Sequence, residues 1–121
     1  MRSVLVVEDE ALIALDLTCS LEALGYRVLG PAANSADARR IAATENPDLL
    51  LMDVTIQGQP DGIETARAIT EDQAHPSKLV FLTAHTDPAT RRRAALLNPA
   101  AFLQKPWTAR QMQQILVDVF A

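Results

Sequence analysis

The sequence predicts an α/β protein in which five short strands alternate with five helices, a (βα)5 chain built on a parallel sheet. Three observations carry that expectation. Short apolar runs alternate with stretches of helical periodicity. Two of the runs, Leu49–Met52 and Leu79–Leu82, are apolar on both faces, as central strands covered by helices on each side should be. The chain has 121 residues, 49% hydrophobic and 21% charged, which suits one domain over 1–121 with a single core.

The elements follow in order. Val4–Val7 is the first strand, and in Ala11–Leu24 the residues Ile13, Leu17, Leu21 and Leu24 share one helix face before Gly25 stops the helix. Arg27–Gly30 is the second strand. Ser35–Glu45 is a helix with Ala38, Ile41 and Ala42 inward, Asn34 or Ser35 as N-cap and Pro47 beyond its end. Leu49–Met52 is the third strand, and Ile63, Ala66 and Ile69 mark the third helix. Leu79–Leu82 is followed by "TDPATRRRAALL", where Asp87 can cap and Pro88 suits the first helical position. Ala101–Leu103 is the last strand. Thr108 with Gln111 three residues on is a capping-box pattern for a helix whose apolar face is Met112, Ile115, Leu116, Val119 and Phe120.

Composition excludes several function classes. The formal net charge is -4 and the pI near 5.0, which argues against nucleic acid as a direct partner, since a phosphate backbone demands clustered positive charge. One cysteine, Cys19, allows no internal disulfide and reads as helix packing in a reducing cytoplasm. No basic-then-apolar leader opens the chain and no apolar run approaches membrane-spanning length, so a cytoplasmic protein without a membrane partner is expected.

In an open α/β sheet, ligands bind beyond the carboxyl ends of the strands. Those ends carry Glu8 and Asp9, then Asp53, then Thr83 with Ala84 and His85, then Lys105 before Pro106. Glu8 and Asp9 taken alone could cap a helix or do chemistry, and Glu10 reads as a first-turn acid favoured by the helix dipole. Together with Asp53 they bring three negative charges against one from Lys105, and like charges held close call for a cation. Mg²⁺ is the natural one, because it takes hard oxygen ligands and is held by one or two carboxylates plus phosphate oxygens. Asp53 is the candidate nucleophile: a carboxylate can accept a phosphoryl group as an acyl phosphate. Lys105 would neutralise charge on that group and Thr83 would hydrogen-bond one of its oxygens.

These residues, in this order and at these strand ends, closely resemble the CheY-like receiver domains of two-component response regulators. The likeness spans nearly the whole chain: Glu8-Asp9, Asp53 closing the third strand, Asp61-Gly62 opening the third helix, Thr83-Ala84, and Lys105-Pro106. The resemblance implies a doubly wound, flavodoxin-like sheet of order 2-1-3-4-5 and a single-domain signalling switch. It implies a phosphoryl group taken onto Asp53 from a sensor histidine kinase or a histidine phosphotransfer protein. The metal, Mg²⁺ with Mn²⁺ as substitute, would be held by Asp9, Asp53, the Thr55 backbone carbonyl and Glu8 through water. Phe102, three residues before the lysine, becomes the switch aromatic that turns inward when Thr83 is drawn to the phosphate. The fourth helix, fifth strand and fifth helix then form the output surface for a downstream protein or a weak or phosphorylation-dependent homodimer, with Arg91, Arg92 and Trp107 as its candidate contacts. The chain would catalyse only its own phosphorylation and dephosphorylation, with Thr55 and His85 setting the lifetime of the phosphate.

The loop "VTIQGQPDG" is longer than in many such domains and lacks their Met-Pro, and Trp107 stands where Phe is commoner. Asp61 itself reads as a turn residue. Other classes fit less well. An aspartate-nucleophile phosphatase would need its nucleophile after the first strand and a second Asp two residues on, where this chain has Thr55. A nucleotide-binding domain would need a glycine-rich phosphate loop, and the chain has only 4 glycines. A module that never accepts phosphate is disfavoured by an intact Asp53, Thr83, Lys105 and acidic pair.

Overall fold

The computed structural model describes residues 1–56, 58, 60–84 and 87–121. Five strands and five helices alternate: β1 Ser3–Val7, α1 Ala11–Ala23, β2 Arg27–Ala32, α2 Ser35–Glu45, β3 Leu49–Asp53, α3 Gly62–Asp72, β4 Lys78–Thr83, α4 Pro88–Ala95, β5 Ala101–Gln104 and α5 Ala109–Val119. All strand pairings are parallel and the order is β2-β1-β3-β4-β5. This is the doubly wound, flavodoxin-like topology expected.

Alternation along the strands sorts the core into two layers. Leu5, Val7, Leu50, Met52 and Phe81 face α2, α3 and Ala94 of α4. Val4, Val6, Leu49, Leu51, Val80, Leu82 and Leu103 face Leu17 and Leu21 of α1 and Met112, Leu116 and Val119 of α5. The central strand β3 is buried at every position because both layers close over it.

Local signals fix most helix starts. Asn34 accepts the Asp37 N–H at 2.9 Å, and Asp87 accepts the Thr90 N–H at 2.8 Å with Pro88 at the first turn. Thr108 and Gln111 form the reciprocal capping box. Helix α1 has no side-chain cap; two fully buried leucines, Leu17 and Leu21, at about 2 kcal/mol each outweigh the ~1 kcal/mol a cap contributes.

Three expectations are corrected. Strand β2 runs on to Ala32 through Pro31, since an edge strand tolerates a residue without an N–H. Leu24 is the C-cap of α1 and 40% exposed, one turn too late to reach the core. Cys19 is exposed, because it falls between Leu17 and Leu21 and so on the far side of the helix from their stripe. Trp107 packs on the α1 and α5 layer, lining one groove with Leu12, Ile13 and Asp16 and another with Ser20 and Met112. No helix among the described residues is long and apolar enough to cross a membrane.

Candidate functional site

The chain crosses from β1 to β2 on one side and reaches β3 on the other, so β1 and β3 are neighbours at the point where strand order reverses. Their carboxyl ends deliver Glu8, Asp9 and Asp53 to one crevice. One carboxylate oxygen from each lies within 4.8 Å of the others.

Asp53 is 1% exposed and closes β3. Its Oδ1 accepts the Thr55 N–H at 2.9 Å and the Thr55 hydroxyl at 3.1 Å. Its Oδ2 accepts from Lys105 Nζ at 2.8 Å. Lys105 reaches the crevice because β5 pairs with β4 in register to Gln104, and its own N–H donates to Thr83 O at 2.7 Å. The same ammonium lies 2.8 Å from Glu8 Oε1, so one cation serves two carboxylates. Burial works against the Lys105 charge, yet Asp53 and Glu8 raise its pKa.

Glu8 is the strained member. Its side chain is wholly buried. Oε2 accepts the Glu10 N–H at 3.1 Å, whereas Oε1 accepts no directed hydrogen bond and has only the nearby ammonium. Burial pushes its pKa up to about 7, against the lowering from Lys105 and the Glu10 amide. Asp9 is half-buried beside it. Glu10 is the N-cap position of α1 without a side-chain cap bond; its role is the N–H given to Glu8.

Thr83 ends β4 at 2% exposure, and its hydroxyl has no hydrogen-bond partner among the described residues. Ala84 follows it, exposed. His85 lies outside the described residues. Phe102 is half-buried, stacked on Phe81 with ring centroids 5.9 Å apart. Arg91 and Arg92 are exposed on α4.

Two residues do more than their sequence signals suggested. Asp61 is the N-cap of α3, accepting the Glu64 N–H at 2.9 Å, and its Oδ2 accepts from Arg93 Nη2 at 3.0 Å. Gly62, the first residue of α3, lies against the acceptor's own backbone: a Cβ there would fall 1.8 Å from Asp53 O and 2.8 Å from its carbonyl carbon. The Asp-Gly pair signalled a turn, and nothing in it revealed which strand the turn would touch.

The arrangement can bind a hard divalent cation on carboxylate oxygens, present a carboxylate nucleophile, and receive a tetrahedral anion between the Lys105 ammonium and the Thr83 hydroxyl. Comparison with known proteins places the chain in a family. Residues 4–117 match the family described as "Response regulator receiver domain". The transcriptional regulatory protein PdtaR of Mycobacterium tuberculosis is 37% identical over 107 residues, covering 88% of this chain and 51% of that protein. The phyllosphere-induced regulator PhyR of Methylorubrum extorquens is 28% identical over 93% of this chain and 41% of its own length. The chain thus spans about half the length of these relatives, or less. Among solved structures, the signal receiver domain of a modulated diguanylate cyclase from Desulfovibrio desulfuricans G20 superposes with a TM-score of 0.88 at 36% identity, over 97% of this chain and 91% of that one. The chemotaxis protein CheY4 of Vibrio cholerae gives 0.88 at 25% identity, over 98% of each. With the sheet order, the strand-end acids and the match over residues 4–117 all in agreement, the chain belongs to the response regulator receiver domain family.

Proposed function

We propose that this receiver domain accepts a phosphoryl group on Asp53 from a phosphohistidine of a sensor histidine kinase or histidine phosphotransfer protein, and signals through protein contacts. The observation that carries the reading is the state of Asp53: a carboxylate 1% exposed, at the sheet's switch point, oriented by Thr55 and Lys105. A carboxylate oxygen of Asp53 attacks phosphorus, the P–N bond breaks, and the imidazole leaves. Lys105 balances charge on the incoming oxygens, and the Thr83 hydroxyl supplies a donor once they arrive. The groove of about 290 Å³ beside Lys105, lined by Leu12, Ile13, Pro106 and Trp107, gives the crevice an apolar rim suited to a macromolecular donor.

The donor set fits Mg²⁺, with Mn²⁺ as a substitute. The three candidate ligands are hard oxygens, and Glu8 Oε1 is a buried acceptor without a directed hydrogen bond. Asp9 and Asp53 would hold the ion directly, with Glu8 through water and the Thr55 carbonyl completing the set. Bound there, it offsets the negative charge of the carboxylates and the phosphoryl oxygens. Thr55, whose hydroxyl already lies on Asp53, and His85 govern hydrolysis of the product. Occupancy then shifts a two-state equilibrium of Thr83 and Phe102 that alters the α4-β5-α5 surface, read by a downstream protein or a second copy in the cytoplasm. The domain turns over no external substrate.

The test is intact mass after incubation with acetyl phosphate, with and without Mg²⁺. One Mg²⁺-dependent phosphate adduct, lost in Asp53→Asn, is expected. No adduct would leave an interaction module, and continuous release of phosphate would indicate a phosphatase.

A further inference from the structure

The three arginines of α4 have three different surroundings. Arg93 crosses to α3, with Nη2 3.0 Å from Asp61 Oδ2 and 3.9 Å from Glu64 Oε1. Arg92 makes no ion pair among the described residues. Arg91 places its guanidinium carbon 4.2 Å from the centroid of the Phe102 ring. That ring also stacks on Phe81, which is fully buried, at an interplanar angle of 28°. Phe102 is therefore held between a core ring and a surface cation.

Arg91 lies three residues before Ala94, one turn back along the helix, and is itself exposed. Ala94 is the one buried residue of this helix, so little apolar packing fixes α4 against the sheet. A guanidinium over an aromatic face is attractive, and here it joins α4 directly to β5.

The geometry points to Arg91 as a latch on Phe102, a positioning residue that holds the ring in its half-buried place and ties α4 to β5 through it. This rests on the reading of Phe102 as the aromatic that moves when Asp53 carries phosphate. A ring that turns inward withdraws its face from the guanidinium. The latch thus opposes the phosphorylated arrangement, and its release frees a second cation beside Arg92 on the same helix.

The experiment measures the side-chain rotamer populations of Phe102 from three-bond couplings, in protein free of Mg²⁺ and of any phosphoryl donor. Wild type is compared with Arg91→Ala, Arg91→Lys and Arg92→Ala. Arg91→Ala is expected to raise the minor rotamer about two- to five-fold, the range an exposed cation–π contact supports, and to speed labelling by acetyl phosphate by a similar factor. Arg91→Lys falls between, and Arg92→Ala matches wild type in both measurements. Unchanged rotamers in Arg91→Ala would overturn the latch, as would an equal shift in Arg92→Ala, which would mark a general charge effect. If wild type takes up no phosphate, the phosphoacceptor reading fails, while the rotamer comparison still decides the latch.

Discussion

Replacing Gly62 with alanine tests whether the start of α3 is seated on the acceptor's backbone. The added Cβ would lie 1.8 Å from Asp53 O, 2.8 Å from Asp53 C and 3.0 Å from Val54 Cα. A carbon tolerates a carbonyl oxygen at about 3.3 Å, so backbone must move by roughly 1.5 Å. The obstructing atoms are main chain on both sides, with no flexible side chain to yield. Gly62 N–H donates to Val54 O at 3.2 Å, and the displacement strains that bond too. Overpacking of this kind costs about 1–3 kcal/mol, less the roughly 0.5–1 kcal/mol that alanine gains over glycine in a helix. The expected net loss is about 1–2 kcal/mol.

The functional loss should be larger than the stability loss. Asp53 O belongs to the residue whose side chain takes the phosphoryl group, and a misplacement near 1 Å costs on the order of 100-fold in rate. Gly25→Ala is the comparison: Gly25 has φ +92° but nothing within 4 Å of a new Cβ, so it carries only backbone strain of about 1–2 kcal/mol. Urea unfolding and acetyl phosphate labelling followed by intact mass should give two variants of similar stability, of which only Gly62→Ala labels slowly. A Gly62→Ala protein that labels at the wild-type rate would refute the argument.

Three further outcomes follow from the same geometry. Glu8 has its pKa raised by burial from 4.5 to about 7, so in EDTA the folded state holds a proton that the unfolded state has released. Stability therefore falls as pH rises from about 4.5 through 7, by at most on the order of 3 kcal/mol, and urea midpoints at pH 5 and 8 should differ less in Glu8→Gln. Lys105→Met leaves two buried carboxylates without their counter-ion and should cost about 3 kcal/mol near neutral pH, measured by urea unfolding, with less lost at pH 5, where Glu8 is protonated. Asp61→Ala removes a cap and the bridge to Arg93 and should cost about 1–2 kcal/mol by thermal unfolding. Asp61→Asn keeps the cap and should cost only a few tenths.

Much of the architecture was legible because its causes are local. Strands β3 and β4 are covered on both faces, so their sequences are apolar at successive positions, and the caps at Asn34, Asp87 and Thr108 announce the helices they start. What was misjudged or left open depended on where an element stops or which way it faces. Leu24 fits the helical stripe of α1, but the helix ends at Ala23. Trp107 follows a strand whose successive residues serve opposite layers: Phe102 packs with the α4 side and Leu103 with the α1 and α5 side. A loop residue beyond that strand could turn either way, and composition does not choose.

The site divides along the same line. Topology gathers strand ends whatever the loops do, so Glu8, Asp9, Asp53, Thr83 and Lys105 could be placed together from order alone. Contacts between elements distant in sequence could not, because periodicity says which face a residue occupies and not what that face meets. Arg93 meets Asp61 across 32 residues, and Gly62 returns to Asp53 after a loop whose length is readable but whose closure is not. Charge counting also left the three acids equivalent, and the structure separates them. Asp53 has three donors on its two oxygens. Glu8, with its side chain fully buried, has a single amide donor, on Oε2, and Oε1 has only an ammonium shared with Asp53. The electrostatic cost of the cluster is therefore concentrated on Glu8, and a divalent cation relieves most where the protein itself has supplied least.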